Sequence, residues 1–141
     1  MSNYSDIFGG IKNKLEANVT NLKVMEHPPE SVNHFPAVLI TPEPMDPTIA
    51  FGGNSFEADF RLTVLVSSAD SPSGWTQLFD MIDPTTANRS IIKALKDNKT
   101  LNGKVDDSMV SMVENIGRRQ WFGGGFYFGF DVVLKVVKSV A

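Results

Sequence analysis

Cysteine is absent from this 141-residue chain, which excludes disulfides, thiolate metal sites and cysteine nucleophiles. The net charge of −3 at pH 7 gives no basic footprint for sequence-specific binding of nucleic acid. No apolar run approaches the roughly 20 residues of a membrane-spanning helix. Residues 1–20 also lack the basic start and apolar run of a secretory signal, so we expect neither feature.

What is present is the composition of a folded globular protein. Hydrophobic residues make up 42% of the chain and charged residues 21%, which argues against disorder. A chain of this length favours one domain with a core of its own. We therefore predict a single domain over residues 1–141.

Alternation of apolar and polar residues predicts the strands. Apolar side chains occupy every second position from Phe56 to Val66 and again from Phe126 to Val137, which is typical of half-buried strands. Met109–Trp121 precedes the second of these, and three glycines at 123–125 separate the two, so both form a predicted C-terminal hairpin. A short buried strand is expected at Phe35–Thr41 and a brief one at residues 48–51.

Helical spacing appears in three other segments. We expect the first helix to be capped by Ser5-Asp6, with Ile7, Ile11, Leu15 and Val19 on one face. A second helix has apolar residues at 75, 78, 79 and 82, and Pro84 should either end or re-start it; a third spans residues 90–97. These elements predict an α+β fold: a mostly antiparallel sheet, helices packed on one face, and a long C-terminal hairpin.

Candidate chemistry is sparse. His27 and His34, with Glu30 between them, offer zinc-type ligands in one loop, but their spacing matches no usual pattern and surface residues are the preferred interpretation. No nucleophile-elbow motif is present.

Two further motifs also favour ordinary loops. Residues 123–125 lack the lysine and Ser/Thr of a P-loop, so a hairpin tip is favoured over a phosphate cradle. Asp106-Asp107, with Asp80 and Asp83, does not have the spacing of a calcium loop. We predict no catalytic residue, no cofactor and no metal site.

The hairpin carries the predicted interface. Twelve residues from Phe126 extend about 40 Å, against about 20 Å for a usual strand, so one end is expected to project beyond the core. Arginine and aromatic side chains, which are enriched in interfaces, cluster near its tip at Arg118, Arg119, Trp121, Phe122, Phe126 and Tyr127. The alternative is that these aromatics fold back over a helix of the same domain. If these aromatics form the interface, serine at positions 121 and 122 should impair assembly more than folding.

Several segments resemble, in order, the tail terminator (tail completion) proteins of long-tailed phages, especially those of actinobacterial hosts. They are FPAVLI (35–40), FRLTVLVS (60–67), SIIKAL (90–95), LNGKVDD (101–107) and YFGFDV (127–132). Together they span about residues 35–137, most of the chain. Each segment is short, so their order and spacing carry the resemblance.

The resemblance implies a structural virion protein and not an enzyme. Such a protein forms a ring, usually a hexamer, at the head-proximal end of the tail tube, where it ends polymerisation and docks a head-side connector or stopper protein. Its partners would be copies of itself, the major tail tube protein and that connector. DNA would pass through the lumen without specific binding, no membrane would be involved, and the location would be the virion neck after assembly in the host cytoplasm.

Two alternatives remain open. Another neck or head-closure protein of similar size would share these features. A small intracellular enzyme or a ligand- or metal-binding domain using the loop between His27 and His34 belongs to a different class.

Overall fold

The computed structural model describes residues 3–25, 34–44, 55–68, 72–86, 88–101, 103–121 and 125–139. These residues form a mixed α+β fold with three helices and one mostly antiparallel sheet of five strands. The sequence prediction of the fold class is confirmed. The brief strand expected at 48–51 lies outside the described residues.

The helices are α1 (Asn3–Asn18), α2 (Gly74–Ile82) and α3 (Ile91–Asp97), and the strands are β1 (Lys23–Met25), β2 (Ala37–Pro42), β3 (Ser55–Ser68), β4 (Asp107–Gln120) and β5 (Phe126–Ser139). The strand order is β1-β2-β3-β5-β4. Neighbouring strands are antiparallel except β1 and β2, which run parallel. The two edges of the sheet are therefore a three-residue strand and a strand of 14 residues.

One face of the sheet carries the main core. In the antiparallel pair β3–β5, Phe60 lies opposite Leu134 and Leu62 opposite Val132, as the alternation of the two strands requires. These side chains are buried in one cluster with residues of all three helices. The helices therefore pack on this face, which we call the helix face; the other is the open face.

The helices follow the predicted periodicity with one correction. Ile7, Ile11 and Leu15 of α1 are fully buried on the helix face. The predicted cap at Ser5-Asp6 is wrong, because α1 begins at Asn3 and both residues lie inside it. Within the described segments, no helix is long and apolar enough to cross a membrane.

The start of α3 and the end of α2 lie where local sequence signals place them. The Ser90 side chain caps α3 by accepting a hydrogen bond from the Lys93 N–H at 3.1 Å, as an N-cap serine does. Asp83 follows the last residue of α2 in an extended conformation, directly before Pro84. This geometry agrees with the expectation that the proline ends the helix.

The terminal hairpin forms as predicted but does not project as a separate arm. β5 is paired along its length with β4 on one side and β3 on the other. Even near its start, Tyr127 lies opposite Ser68 of β3 and Arg119 of β4. The predicted projection is therefore wrong for the described residues, because the long β3 accompanies β5 up to the tip.

The exposed edge strand β4 is irregular. Its pairing with β5 shifts between Val110 and Met112 and again between Glu114 and Gly117, so that β4 carries one extra residue at each β-bulge. Asn115 and Gly117, at the second bulge, have φ values of 56° and 130°. Bulges of this kind re-aim side chains and interrupt the regular ladder of an edge.

Candidate interaction surface

The six residues predicted as an interface do not share one surface. Arg119 and Tyr127 lie on the open face, with Trp121 packed against Tyr127 there. Alternation places Phe126 and Arg118 on the helix face, where Arg118 pairs in register with Phe128. The sixth, Phe122, lies outside the described residues. The tip therefore presents two different sets of side chains to its surroundings.

Trp121 and Tyr127 are core residues of the open face. Both are buried, with their rings edge to face at a centroid distance of 6.1 Å. Their cluster also contains Met25, Ala37, Leu39 and Leu65. Burial raises the pKa of the Tyr127 phenol above its ordinary value. These two aromatics thus pack on the sheet of their own chain, on the face opposite to the helices.

A network of ion pairs crosses the open face beside this cluster. Asp131 of β5 is only 3% exposed and pairs with Arg61 of β3 and Arg119 of β4. Arg61 also binds Glu114 at 2.8 Å and Glu43, and these hydrogen bonds, with Glu43 first, raise the pKa of its guanidinium. The two arginines are thereby held by carboxylates and link neighbouring strands through charge-assisted hydrogen bonds.

Asn115 completes the network from the second bulge of β4. Its side-chain amide donates a hydrogen bond of 2.9 Å to the Asp131 carboxylate. Asn is among the few residues that adopt positive φ at modest cost, so the bulge can aim this amide at the carboxylate. Sequence alternation placed Asp131 on the polar side of β5, but it could not supply partners from β3 and β4.

The helix face carries an exposed aromatic patch at the same end of the sheet, formed by Trp75 and Phe79 of α2 with Phe126 and Arg118. Trp75 and Phe79 are 50% and 59% exposed, and Phe126 is 47% exposed. The Trp75 ring centroid lies 5.9 Å from that of Phe79 and 5.2 Å from that of the buried Phe128, which pairs in register with Arg118. Arg118 stacks over Phe126 with its guanidinium carbon 4.2 Å from the ring centroid.

Glycines allow α2 to lie close to the sheet under this patch. A Cβ atom at Gly74 would lie 2.3 Å from the Phe128 ring, so only glycine fits at the start of α2. A Cβ at Gly117 of β4 would lie 3.5 Å from the Trp75 ring. Trp75 therefore reaches from α2 toward the β4 edge, and the patch lies on that lateral side of the domain.

A groove of about 600 Å³ lies on the other side of α2, between this helix, the residues that follow α1, the residues just before β2 and the end of β3. Its apolar lining comes from Val19, Phe35, Pro36, Val66 and Met81. Its polar lining includes Gln77 and the ion pair of Asp80 with Arg89, whose N–O distance is 3.3 Å. This volume is within the usual range of ligand and side-chain binding sites.

The predicted histidine loop is only partly described. The His34 Nε2 atom lies 2.7 Å from the Asn21 carbonyl oxygen, whereas His27 and Glu30 fall outside the described residues. Among the residues that the structure does describe, no group of three or more His, Asp or Glu side chains could hold a metal ion.

The aspartates considered as a cation cluster have separate roles. Asp83 accepts hydrogen bonds from the Thr85 hydroxyl and N–H, which lower the pKa of its carboxyl group. Asp80 belongs to the ion pair in the groove, and Asp107 accepts a hydrogen bond from the Ser108 N–H at the start of β4. These local bonds explain the carboxylates as turn and surface groups.

Comparison with models of known protein families gives no match to this chain, and comparison with curated proteins gives no significant match. The geometry of the chain therefore has to support any functional proposal. Its most distinctive surface is the aromatic patch, since large apolar side chains exposed side by side typically mark a site of protein association.

Proposed function

We propose that this chain is a structural virion protein of the tail terminator type, which assembles into a ring at the head-proximal end of a phage tail tube. The observation that carries the proposal is the exposed aromatic patch of Trp75, Phe79 and Phe126 with Arg118. Aromatic residues and arginine are the types that dominate binding energy at protein interfaces. The order of the segments that resemble this family, from about residue 35 to residue 137, supplies the specific role.

The position of the patch suits a ring. It lies beside the β4 edge, on one lateral side of the domain, and the groove lies on the other side of α2. A ring needs two different surfaces on each subunit, one for each neighbour, because its contacts are head to tail. The predicted interface is accordingly narrowed to Arg118 and Phe126, joined by the two aromatics of α2.

The charges of the open face agree with a protein that lets DNA pass. Arg61 and Arg119 are both held by carboxylates, so they do not present free cations to a phosphate backbone. The net charge of −3 also disfavours retention of DNA, whose binding depends on neutralised phosphates.

The direct test is tube assembly. The purified chain, added to polymerising tail tube protein of the same phage, should shorten the tubes in proportion to its concentration, and electron microscopy should show a ring at one end. The tubes should then bind the head-side connector protein. Tubes of unchanged length without a terminal ring would refute the role of terminator, and rings found only on the head portal would instead support a head-closure protein.

A further inference from the structure

The two flanks of α2 carry surfaces of opposite shape, one that protrudes and one that is recessed. With about 100° between successive residues of an α-helix, Trp75 and Phe79 point to one side of α2, and Gln77, Asp80 and Met81 point nearly the opposite way. The first pair belongs to the aromatic patch, and the other three line the groove. One helix therefore separates a protruding aromatic surface from a recess with a mixed apolar and polar lining.

We infer that the groove is the receptor for the aromatic patch of a second copy of this chain, so that Trp75 and Phe79 of one subunit enter the groove of the next. The inference depends on the proposed function for the closed ring, and it specifies the two surfaces that form the contact between neighbouring copies. Because patch and groove lie on opposite flanks of α2 and are different surfaces, their docking joins copies in a head-to-tail arrangement, which can close into a ring.

The lining and the charges of the groove fit this occupant. Its apolar residues, which include Phe35, Pro36 and Met81, match aromatic side chains, and its volume of about 600 Å³ exceeds what two such side chains need. The patch also brings the Arg118 guanidinium toward a recess whose lining contains the Asp80 carboxylate. Asp80 pairs with Arg89 at 3.3 Å, and one third of its side chain is exposed.

The area that the patch would bury on docking is enough for the centre of an interface, but not for a whole one. Each of the three aromatics of the patch is about half exposed and would bury roughly 100 Å² more, or about 300 Å² in total, against the roughly 800 Å² per partner of a stable complex. The patch thus supplies the central anchor, and the adjoining residues of α2 and of the end of β4 around Arg118 supply the surrounding contact.

The first test removes the patch. The double variant Trp75→Ser/Phe79→Ser should weaken self-association of the full chain by at least about 100-fold in sedimentation velocity. Phe79→Arg alone, at the more exposed position, is a second variant that keeps the contact between Trp75 and the buried Phe128 and so tests association without a change in that packing. The control is Met109→Ser/Met112→Ser, which removes two side chains of similar exposure from the open face and should leave association unchanged.

The second test distinguishes head-to-tail contact from contact between two identical patches. Thr20→Trp places a large ring among the groove residues and leaves the patch intact. Each variant alone should stay monomeric, because one of its two surfaces is lost. An equimolar mixture of the groove variant with the Trp75→Ser/Phe79→Ser variant should form heterodimers and no larger species, because one intact patch meets one intact groove.

Any of these results would overturn the inference: self-association of the groove variant as strong as that of the unaltered chain, no heterodimer in the mixture, or an unaltered chain that stays monomeric. Failure of the proposed function looks different. Head-to-tail oligomers that ignore tail tubes would refute the terminator role and keep the contact. Rings that still form on tubes with the Trp75→Ser/Phe79→Ser variant would keep the role and refute the contact.

Discussion

Two adjacent glycines in α1 differ in what surrounds them, and alanine at each gives a sharp test of the packing. A Cβ atom at Gly10 would lie 2.7 Å from the Leu101 carbonyl oxygen and 3.0 Å from the Lys104 side chain. A Cβ at Gly9 would meet nothing within 4 Å. Alanine improves helix propensity equally at both positions, by about 0.5–1 kcal/mol, so the difference between the variants isolates the contact.

Overpacking of this kind usually costs about 1–3 kcal/mol, and the Leu101 oxygen belongs to backbone, which yields less than a flexible side chain. Gly9→Ala should therefore raise the free energy of unfolding. The free energy of unfolding of Gly10→Ala should be about 1–3 kcal/mol lower than that of Gly9→Ala. Thermal unfolding followed by circular dichroism should show a gap of about 3 °C for each kcal/mol. Equal midpoints for the two variants would refute the close contact between α1 and the turn before β4.

Three further predictions concern local bonds. Asp131→Asn should lower the free energy of unfolding by about 1.5–3 kcal/mol in urea titrations, whereas Asp97→Asn, in an exposed pair, should change it by less than about 0.5; equal effects would contradict the buried network. Ser90→Ala should cost about 1–2 kcal/mol by removing the cap of α3, and no loss would contradict that cap. Because burial raises the Tyr127 pKa, stability should fall as pH rises from about 10 through the folded pKa, since the unfolded chain ionises first. In Tyr4→Phe, which leaves one tyrosine, absorbance should titrate above pH 10; a midpoint at or below 10 would contradict the burial.

The predictable parts of the fold are those with a strong local pattern. The alternation from Phe56 to Val66 and from Phe126 to Val137 correctly identified the two central strands, because each buries one face along most of its length. Ser90 and Pro84 correctly placed the ends of two helices, since capping and proline sterics act within a few residues.

Other features depend on contacts that local pattern does not encode. Strand β1 has three residues and forms by parallel pairing with β2, so it has no periodicity to detect. Arg61 and Asp131 meet only because β3 and β5 are neighbours, 70 residues apart in sequence. In α2, the apolar residues form one broad face, so spacing could not tell that Leu78 is buried while Trp75 and Phe79, at one flank of that face, are exposed.

The same limit applies to the candidate site. The residue types near the hairpin tip predicted an interface, but strand direction decides which of them face outward. Trp121 and Tyr127 point to the open face and are covered by β1, β2 and β3 residues, so Trp121→Ser is expected to destabilise the fold itself. Arg118 and Phe126 point to the helix face and stay accessible.

The bulges of β4 affect how readily the edge of the sheet could template a fibre. A fibre lengthens when every added strand offers the next one an unbroken row of amide and carbonyl groups at even intervals. The shifts at Val110–Met112 and Glu114–Gly117 break that row twice within 14 residues. The outermost strand is therefore a poor template for runaway growth, so aggregation through this edge is disfavoured even when the chain is concentrated.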